Sequence, residues 1–171
     1  MEKMSSIEMA LNNERAEMKY YLEQARRSKN YVAKRLFEML AYDEKEHMER
    51  IRDLHAKLTA DGSWPTDVPI NVRGTDIKDQ INFLMGLKES ATEHDDDDIA
   101  ALQKGAETEA RGAEFYKKLA ELCTNPQEKK FFTFLSSIEN EHYMSIKSSI
   151  FYLQDPEGWM EANGRVSIDG A

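Results

Sequence analysis

The spacing of apolar residues along the chain predicts four long helices. Over residues of about 4–28, 31–58, 97–123 and 126–153, apolar side chains recur at steps of three and four, which places them along one helical face. The segments "SKN", "TNPQE" and "DPEGW" interrupt this period, and Pro126 is suited to the first turn of the fourth helix. We therefore expect two helical hairpins, each with a short turn between its helices.

The connection between the second and third helices is long. Residues 59–76 are rich in Gly, Pro and Asp, which predicts a loop, and the amphipathic residues 77–90 predict a short crossover helix. Short, long and short connections are typical of an all-α four-helix bundle with one crossover. The predicted organisation is a bundle domain (1–154) made of helix pairs 4–58 and 97–153 and a crossover (59–96), followed by a C-terminal tail (155–171) whose last dozen residues are extended.

Composition narrows the class of protein. The chain has 171 residues, 40% hydrophobic and 32% charged, which suits one helix-rich globular domain. Its formal net charge of −9 disfavours nucleic acid and anionic membranes as partners. Cys123 is the single cysteine, so the chain has no internal disulfide and no sulfur-rich metal site. The sequence has no apolar run typical of a signal peptide or a transmembrane helix, and we expect a cytoplasmic protein.

The two halves of the chain repeat each other at an offset of 95 residues. "YYLEQA" (20–25) corresponds to "FYKKLA" (115–120), and "EKEH" (44–47) corresponds to "ENEH" (139–142). In each half a Glu stands alone on the first helical face, and a Glu-x-x-His pair stands on the second, one helical turn apart. The polar residues that the repeat places on the apolar faces are Glu14, Glu44 and His47 in the first half, and Glu109, Glu139 and His142 in the second.

These six side chains predict a dinuclear metal site. An ion buried without a partner costs several kcal/mol, a large part of the roughly 5–15 kcal/mol that stabilises a domain. Two divalent cations would balance the four carboxylates and leave both imidazoles neutral. Oxygen and nitrogen ligands without thiolate indicate iron or manganese. A Glu from each of two helices with Glu-x-x-His from the other two is typical of dinuclear carboxylate bundles. The competing interpretation is an ordinary exposed, charged helix surface.

The motifs "ALNNERAEMKYY", "LAYDEKEHMERI", "GAETEARGAEFY" and "SSIENEHYMSI" resemble the rubrerythrin branch of the ferritin-like superfamily. The resemblance covers nearly the whole bundle and implies that the six residues are iron ligands. It also implies that Glu44 and Glu139 bridge the two irons. Tyr21 and Tyr116, each seven residues after a ligand Glu, resemble the tyrosines that hydrogen-bond to ligand carboxylates and take part in catalysis. Amphipathic core packing explains these two tyrosines equally well.

The chain departs from the rubrerythrin pattern in two ways. It has no paired CxxC motifs and therefore lacks the rubredoxin domain typical of these proteins. Rubrerythrins also have an extra Glu one turn after the ligand of the third helix, where this chain has Gly112. Glu17 occupies the equivalent position on the first helix. Two interpretations of Glu17 remain open: a seventh ligand, or a surface residue at the edge of the bundle.

The resemblance implies a non-haem di-iron peroxidase that serves in oxidative-stress defence. Hydrogen peroxide or dioxygen would be the oxidant, a separate rubredoxin-like protein would be the electron donor, and the chain would form a homodimer or a larger homo-oligomer. One alternative is a ferroxidase that feeds a ferritin-like iron store. Another is a helical binding module in which the metal is only structural.

Overall fold

The computed structural model describes residues 3–65 and 96–163, and within these ranges the chain forms five helices and no strand. The all-α prediction is confirmed, and each end of the four long helices lies within three residues of its predicted position. The helices are α1 (Lys3–Arg27), α2 (Tyr31–Asp61), α3 (Asp96–Leu122), α4 (Pro126–Gln154) and α5 (Pro156–Asn163).

The second helix of each hairpin begins with an asparagine cap. The side chain of Asn30 accepts a hydrogen bond from the Ala33 amide at 3.0 Å. The side chain of Asn125 accepts from the amides of Gln127 and Glu128 at 2.8 and 3.2 Å. An asparagine at this position satisfies amides that have no partner within the helix. The caps lie 95 residues apart (125 − 30 = 95), so the repeat includes the turns as well as the helix faces.

The four long helices form two antiparallel hairpins, α1–α2 and α3–α4, with the closest backbone approaches inside each hairpin. An apolar cluster fills each end of the bundle. One contains Phe37, Ile99 and Ile146, and the other contains Leu58 and Phe132. Since α2 ends in the second cluster and α3 begins in the first, the two hairpins are connected between opposite ends of the bundle. The predicted crossover helix, 77–90, lies outside the described residues.

The start of the predicted tail is helical. Pro156 begins α5, and the Asp155 side chain accepts a hydrogen bond from the Gly158 amide at 2.9 Å, which favours a helical first turn. Trp159 is buried against Tyr152 and donates a hydrogen bond from its indole nitrogen to Ser148 at 2.8 Å. The expectation of an extended chain is therefore wrong for residues 160–163. Residues 164–171 lie outside the described part.

Among the helices of the described residues, none is both long enough and apolar enough to span a membrane.

Candidate metal centre

All six predicted ligand side chains meet inside the bundle. Each is at most 2% exposed, so the interpretation as an exposed charged surface is wrong. They belong to neither apolar cluster, although residues of both clusters precede and follow them on the same helices. The helix-face spacing of the sequence explains this position, because a polar residue in the middle of an apolar stripe must face the interior. The six residues are Glu14 on α1, Glu44 and His47 on α2, Glu109 on α3, and Glu139 and His142 on α4.

The possible ligand atoms form overlapping groups in which all atoms lie within 4.8 Å of one another. Glu44 is the residue that all of these groups share, and it therefore lies between the two possible metal positions. Within the described residues, the groups are Glu14, Glu44 and His47; Glu44, Glu109, Glu139 and His142; and Glu14, Glu17, Glu44 and Glu139.

Both imidazoles present Nδ1 to the carboxylates. His47 Nδ1 lies 3.0 Å from an oxygen of Glu14 and 3.0 Å from an oxygen of Glu44. His142 Nδ1 lies 3.0 Å from the other oxygen of Glu44 and 3.5 Å from Glu109. The two rings are stacked, with their centroids 5.4 Å apart. Nδ1 is therefore the atom that each histidine offers to a metal, and Nε2 is left for a supporting partner.

The two predicted tyrosines connect the hairpins. The Tyr21 hydroxyl on α1 donates a hydrogen bond to Glu109 on α3, and the Tyr116 hydroxyl on α3 donates one to Glu14 on α1. Both tyrosines are fully buried, and their rings stack on Phe37 and Phe132, respectively. The hydrogen-bonding and core-packing interpretations are thus both correct. Burial and nearby carboxylates raise the pKa of each hydroxyl well above its ordinary value, which keeps both protonated as donors.

The carboxylates differ in their electrostatics. Burial, followed by repulsion from other carboxylates, raises the pKa of Glu139 and Glu17 well above the ordinary value. Burial likewise raises the pKa of Glu14 to about 7, although His47 opposes the effect. Burial alone would also raise the pKa of Glu44, but the two imidazoles outweigh it and hold that pKa well below the ordinary value.

The histidines show the opposite shift. Burial alone would lower the pKa of His47, but Glu44 and Glu14 outweigh it and raise that pKa to about 10. The pKa of His142 is also raised well above its ordinary value, because Glu44 and other carboxylates outweigh burial. Without cations, the site therefore retains protons on its imidazoles and on several of its carboxylates.

Two further acidic residues lie beside the six. Glu17 is 2% exposed and joins Glu14, Glu44 and Glu139 in one of the ligand groups, so the surface interpretation of Glu17 is wrong. One of its oxygens accepts a hydrogen bond from Asn13 at 3.1 Å, and the other has no hydrogen-bond partner among the described residues. Its counterpart in the repeat, Gly112, has no side chain to offer.

Sequence reasoning missed Asp43, which is buried with one oxygen 3.7 Å from His142 Nε2. The residue directly precedes Glu44 and is charged, so it resembles the solvated neighbours on the same helix. The repeat could have revealed that Asp43 is buried, because the equivalent residue of the second half is the apolar Ile138. An apolar residue at an equivalent position indicates that both face the interior.

The donor set fits a pair of hard or intermediate cations. Within the described residues, both oxygens of Glu139, one of Glu109 and one of Glu17 are buried without a hydrogen-bond partner. Such atoms are costly unless a proton or a cation satisfies them. Oxygen and imidazole nitrogen, without sulfur, are the ligands of iron and manganese in helical bundles.

A ferritin-like helical bundle with a buried cluster of carboxylates and imidazoles is typical of the carboxylate metalloproteins. Within that class, the rubrerythrin family model matches residues 6–149, and the chain belongs to the rubrerythrin family. Comparison with curated proteins and with solved structures gave no significant match.

Proposed function

We propose that this protein is a di-iron peroxidase that reduces hydrogen peroxide to water with electrons from a separate donor protein. One observation carries the proposal: four buried glutamates and two buried histidines converge in the bundle, in a chain of the rubrerythrin family. The cytoplasm is the proposed location. A rubredoxin-like protein is the proposed donor, because these 171 residues contain a single cysteine and so no paired CxxC motif.

The proposed ligands divide into two sets. Glu14 and His47 would hold one iron, and Glu109 and His142 would hold the other. Glu44 would bridge the irons, since its two oxygens lie 3.0 Å from different histidines. Glu139 would be a second bridge, and Glu17 would be a seventh ligand. This assignment is supported by the 4.8 Å groups, in which Glu139 occurs with ligands of both irons.

The reaction H₂O₂ + 2 e⁻ + 2 H⁺ → 2 H₂O needs two electrons and two protons. When bound, two ferrous ions supply the electrons. The chain supports this chemistry with its own residues. Tyr21 and Tyr116 orient Glu109 and Glu14 through their hydroxyl protons. The ligand carboxylates and the hydroxyls of Tyr21 and Tyr116 are the nearest groups that could deliver the two protons. The apolar clusters at both ends limit access of bulk water.

The test is a comparison of oxidants under anaerobic conditions. Protein loaded with two ferrous ions per chain is mixed in a stopped-flow instrument with hydrogen peroxide or with dioxygen. We expect oxidation by peroxide to be at least about tenfold faster at equal oxidant concentration, a difference of about 1.4 kcal/mol in barrier. Faster reaction with dioxygen, together with uptake of many irons per chain into a large assembly, would instead support the ferroxidase and storage function. A bound metal that neither oxidant oxidises would support a structural role.

A matched pair of variants tests whether peroxide turnover depends on the proposed metal centre. Glu109→Gln removes the charge of a proposed ligand and should abolish peroxide turnover by the loaded protein. Glu107→Gln, a change of the same kind on the exposed surface of α3, should leave turnover unchanged. Equal turnover in the two variants would contradict the proposal.

A further inference from the structure

The repeat breaks at two buried positions beside the centre. Asp43 on α2 corresponds to Ile138 on α4 (138 − 43 = 95), and both side chains are buried. Glu17 on α1 corresponds to Gly112 on α3 (112 − 17 = 95). In each case one half of the chain provides a carboxylate where the other half provides none. The six proposed ligands are symmetric between the halves, but their surroundings are not.

The first difference, between Asp43 and Ile138, changes the surroundings of the two histidines. His142 Nε2 lies 3.7 Å from the Asp43 carboxylate, which comes from the other hairpin. His47 Nε2 is buried and has no hydrogen-bond partner in the described part of the chain. Both rings present Nδ1 to the carboxylates, and a neutral imidazole that binds a metal through Nδ1 carries its proton on Nε2. Of the two Nε2 atoms, that of His142 has a carboxylate oxygen 3.7 Å away, and that of His47 has no hydrogen-bond partner among the described residues.

A carboxylate behind a ligand imidazole affects metal binding in two ways. It fixes the orientation of the ring and the proton on Nε2, and it makes Nδ1 a stronger donor. The loss of such a partner typically lowers metal affinity by about 10–100-fold. Hydrogen bonds of this kind are often long before the ligand binds and shorten afterwards, and 3.7 Å is close enough for a small movement of the side chain to complete one.

We propose that the two metal positions are inequivalent, and that the position at His142 binds the first metal ion more tightly because Asp43 orients its imidazole. This inference rests on the proposed dinuclear centre and deepens it by naming the order of metal loading. Asp43 is a positioning residue, since it lies beside the imidazole and belongs to none of the possible ligand groups of the described residues. Glu17 adds an unmatched carboxylate from α1, so the asymmetry is not confined to the histidines.

The test uses cobalt(II) as an anaerobic probe whose absorption reports each bound ion. His47→Ala leaves the position at His142, and His142→Ala leaves the position at His47. We expect cobalt(II) to bind the His47→Ala protein at least about tenfold more tightly than the His142→Ala protein. Far-UV circular dichroism of the metal-free variants establishes that each is folded. Equal affinities in the two folded variants would overturn the proposal.

Asp43→Asn removes the charge beside the His142 imidazole but keeps the size of the side chain. The variant therefore distinguishes an effect on the orientation of that ring from a general loss of folding stability. Combined with His47→Ala, it should weaken cobalt(II) binding by about 10–100-fold. Combined with His142→Ala, it should change the affinity by less than about twofold, which makes that variant the matched control. An equal effect in both backgrounds would show a merely structural role and overturn the proposal.

In the otherwise unchanged protein, Asp43→Asn should weaken only the tighter of two binding steps, a result that needs no histidine variant. A protein that binds two cobalt(II) ions with no difference between the single-position variants contradicts the inference alone. A protein that binds no cobalt(II) at all contradicts the proposed di-iron function as well.

Discussion

At the scale of single residues, equivalent positions have different contacts. Glu44 and Glu139 occupy the same place in the two halves, yet Glu44 contacts both imidazoles while both oxygens of Glu139 lack a hydrogen-bond partner in the described residues. These different contacts shift the two pKa values in opposite directions: the pKa of Glu44 is lowered and that of Glu139 is raised. In the metal-free site Glu44 is therefore the anionic residue between the two histidines, whereas Glu139 retains a proton.

The tyrosine hydroxyls give the first prediction. Tyr21→Phe and Tyr116→Phe each remove the donor to a buried carboxylate, and leaving such a group unsatisfied costs about 1–3 kcal/mol. We expect urea unfolding of each metal-free variant to show this loss, and the metal-loaded variants to reduce peroxide more slowly. Tyr20→Phe is the matched control, because the Tyr20 hydroxyl donates to the Ala101 carbonyl, outside the centre, at 2.7 Å. Peroxide turnover that falls equally in all three variants would contradict a special role for Tyr21 and Tyr116.

Gly112 gives a second prediction at this scale. A Cβ at this position would lie 3.3 Å from the carboxyl carbon of Glu139, so Gly112→Ala should displace that carboxylate by a few tenths of an ångström. Alanine is also favoured over glycine within a helix by about 1 kcal/mol. We therefore expect weaker metal binding without loss of stability in the metal-free protein, measured by cobalt(II) titration and urea unfolding. Unchanged affinity would mean that Glu139 is not held in the position described.

At the scale of helices, the repeat explains how much could be predicted. The helix ends followed from apolar periodicity and from short turns, because both depend on neighbours in sequence. The positions of the six buried polar residues followed from polar residues inside apolar stripes, a pattern that occurs in both halves of the chain. The contacts of Glu44 with His142, and of Asp43 with the same ring, could not be predicted, because they depend on how one hairpin rotates against the other.

The helix caps give the prediction at this scale. Asn30→Ala and Asn125→Ala each remove a side chain that accepts from amides of the first helical turn. We expect each to lower the free energy of unfolding by about 1 kcal/mol, within a range of roughly 0.5–2 kcal/mol. The comparison is made by urea unfolding of the metal-free protein. Asn12→Ala, in the middle of α1 and exposed, is the control and should have little effect. A cap variant as stable as the control would contradict the assigned role.

At the scale of the whole molecule, protons and metal ions compete for one buried cluster. The pKa of His47 is raised to about 10 and that of Glu14 to about 7, so the folded metal-free state binds these protons more tightly than the unfolded chain does. The resulting stability is fully present below the unfolded pKa values and is lost as pH rises through the folded ones. The lowered pKa of Glu44 acts in the opposite direction, but only under acidic conditions.

The melting temperature of the metal-free protein should therefore fall as pH rises from about 5 to about 9. Metal affinity should increase over the same range, because each bound ion displaces protons. Differential scanning calorimetry and cobalt(II) titration at several pH values measure the two effects. Glu14→Gln cannot titrate, so it should remove part of the slope between about pH 5 and pH 8. A melting temperature that rises with pH would contradict this account of the cluster.

The hydrogen bonds of Tyr21 and Tyr116 both connect the two halves of the chain, which has a consequence if the chain is cut between the halves. Each half of the chain carries one buried tyrosine donor and one glutamate acceptor of this pair of bonds, but the hydroxyls of Tyr21 and Tyr116 donate to glutamates of the other half. Fragments separated between residues 65 and 96 would each contain a donor without its acceptor and an acceptor without its donor. Reassembly of two such fragments would restore both bonds at once, and added metal would favour the reassembled complex by mass action.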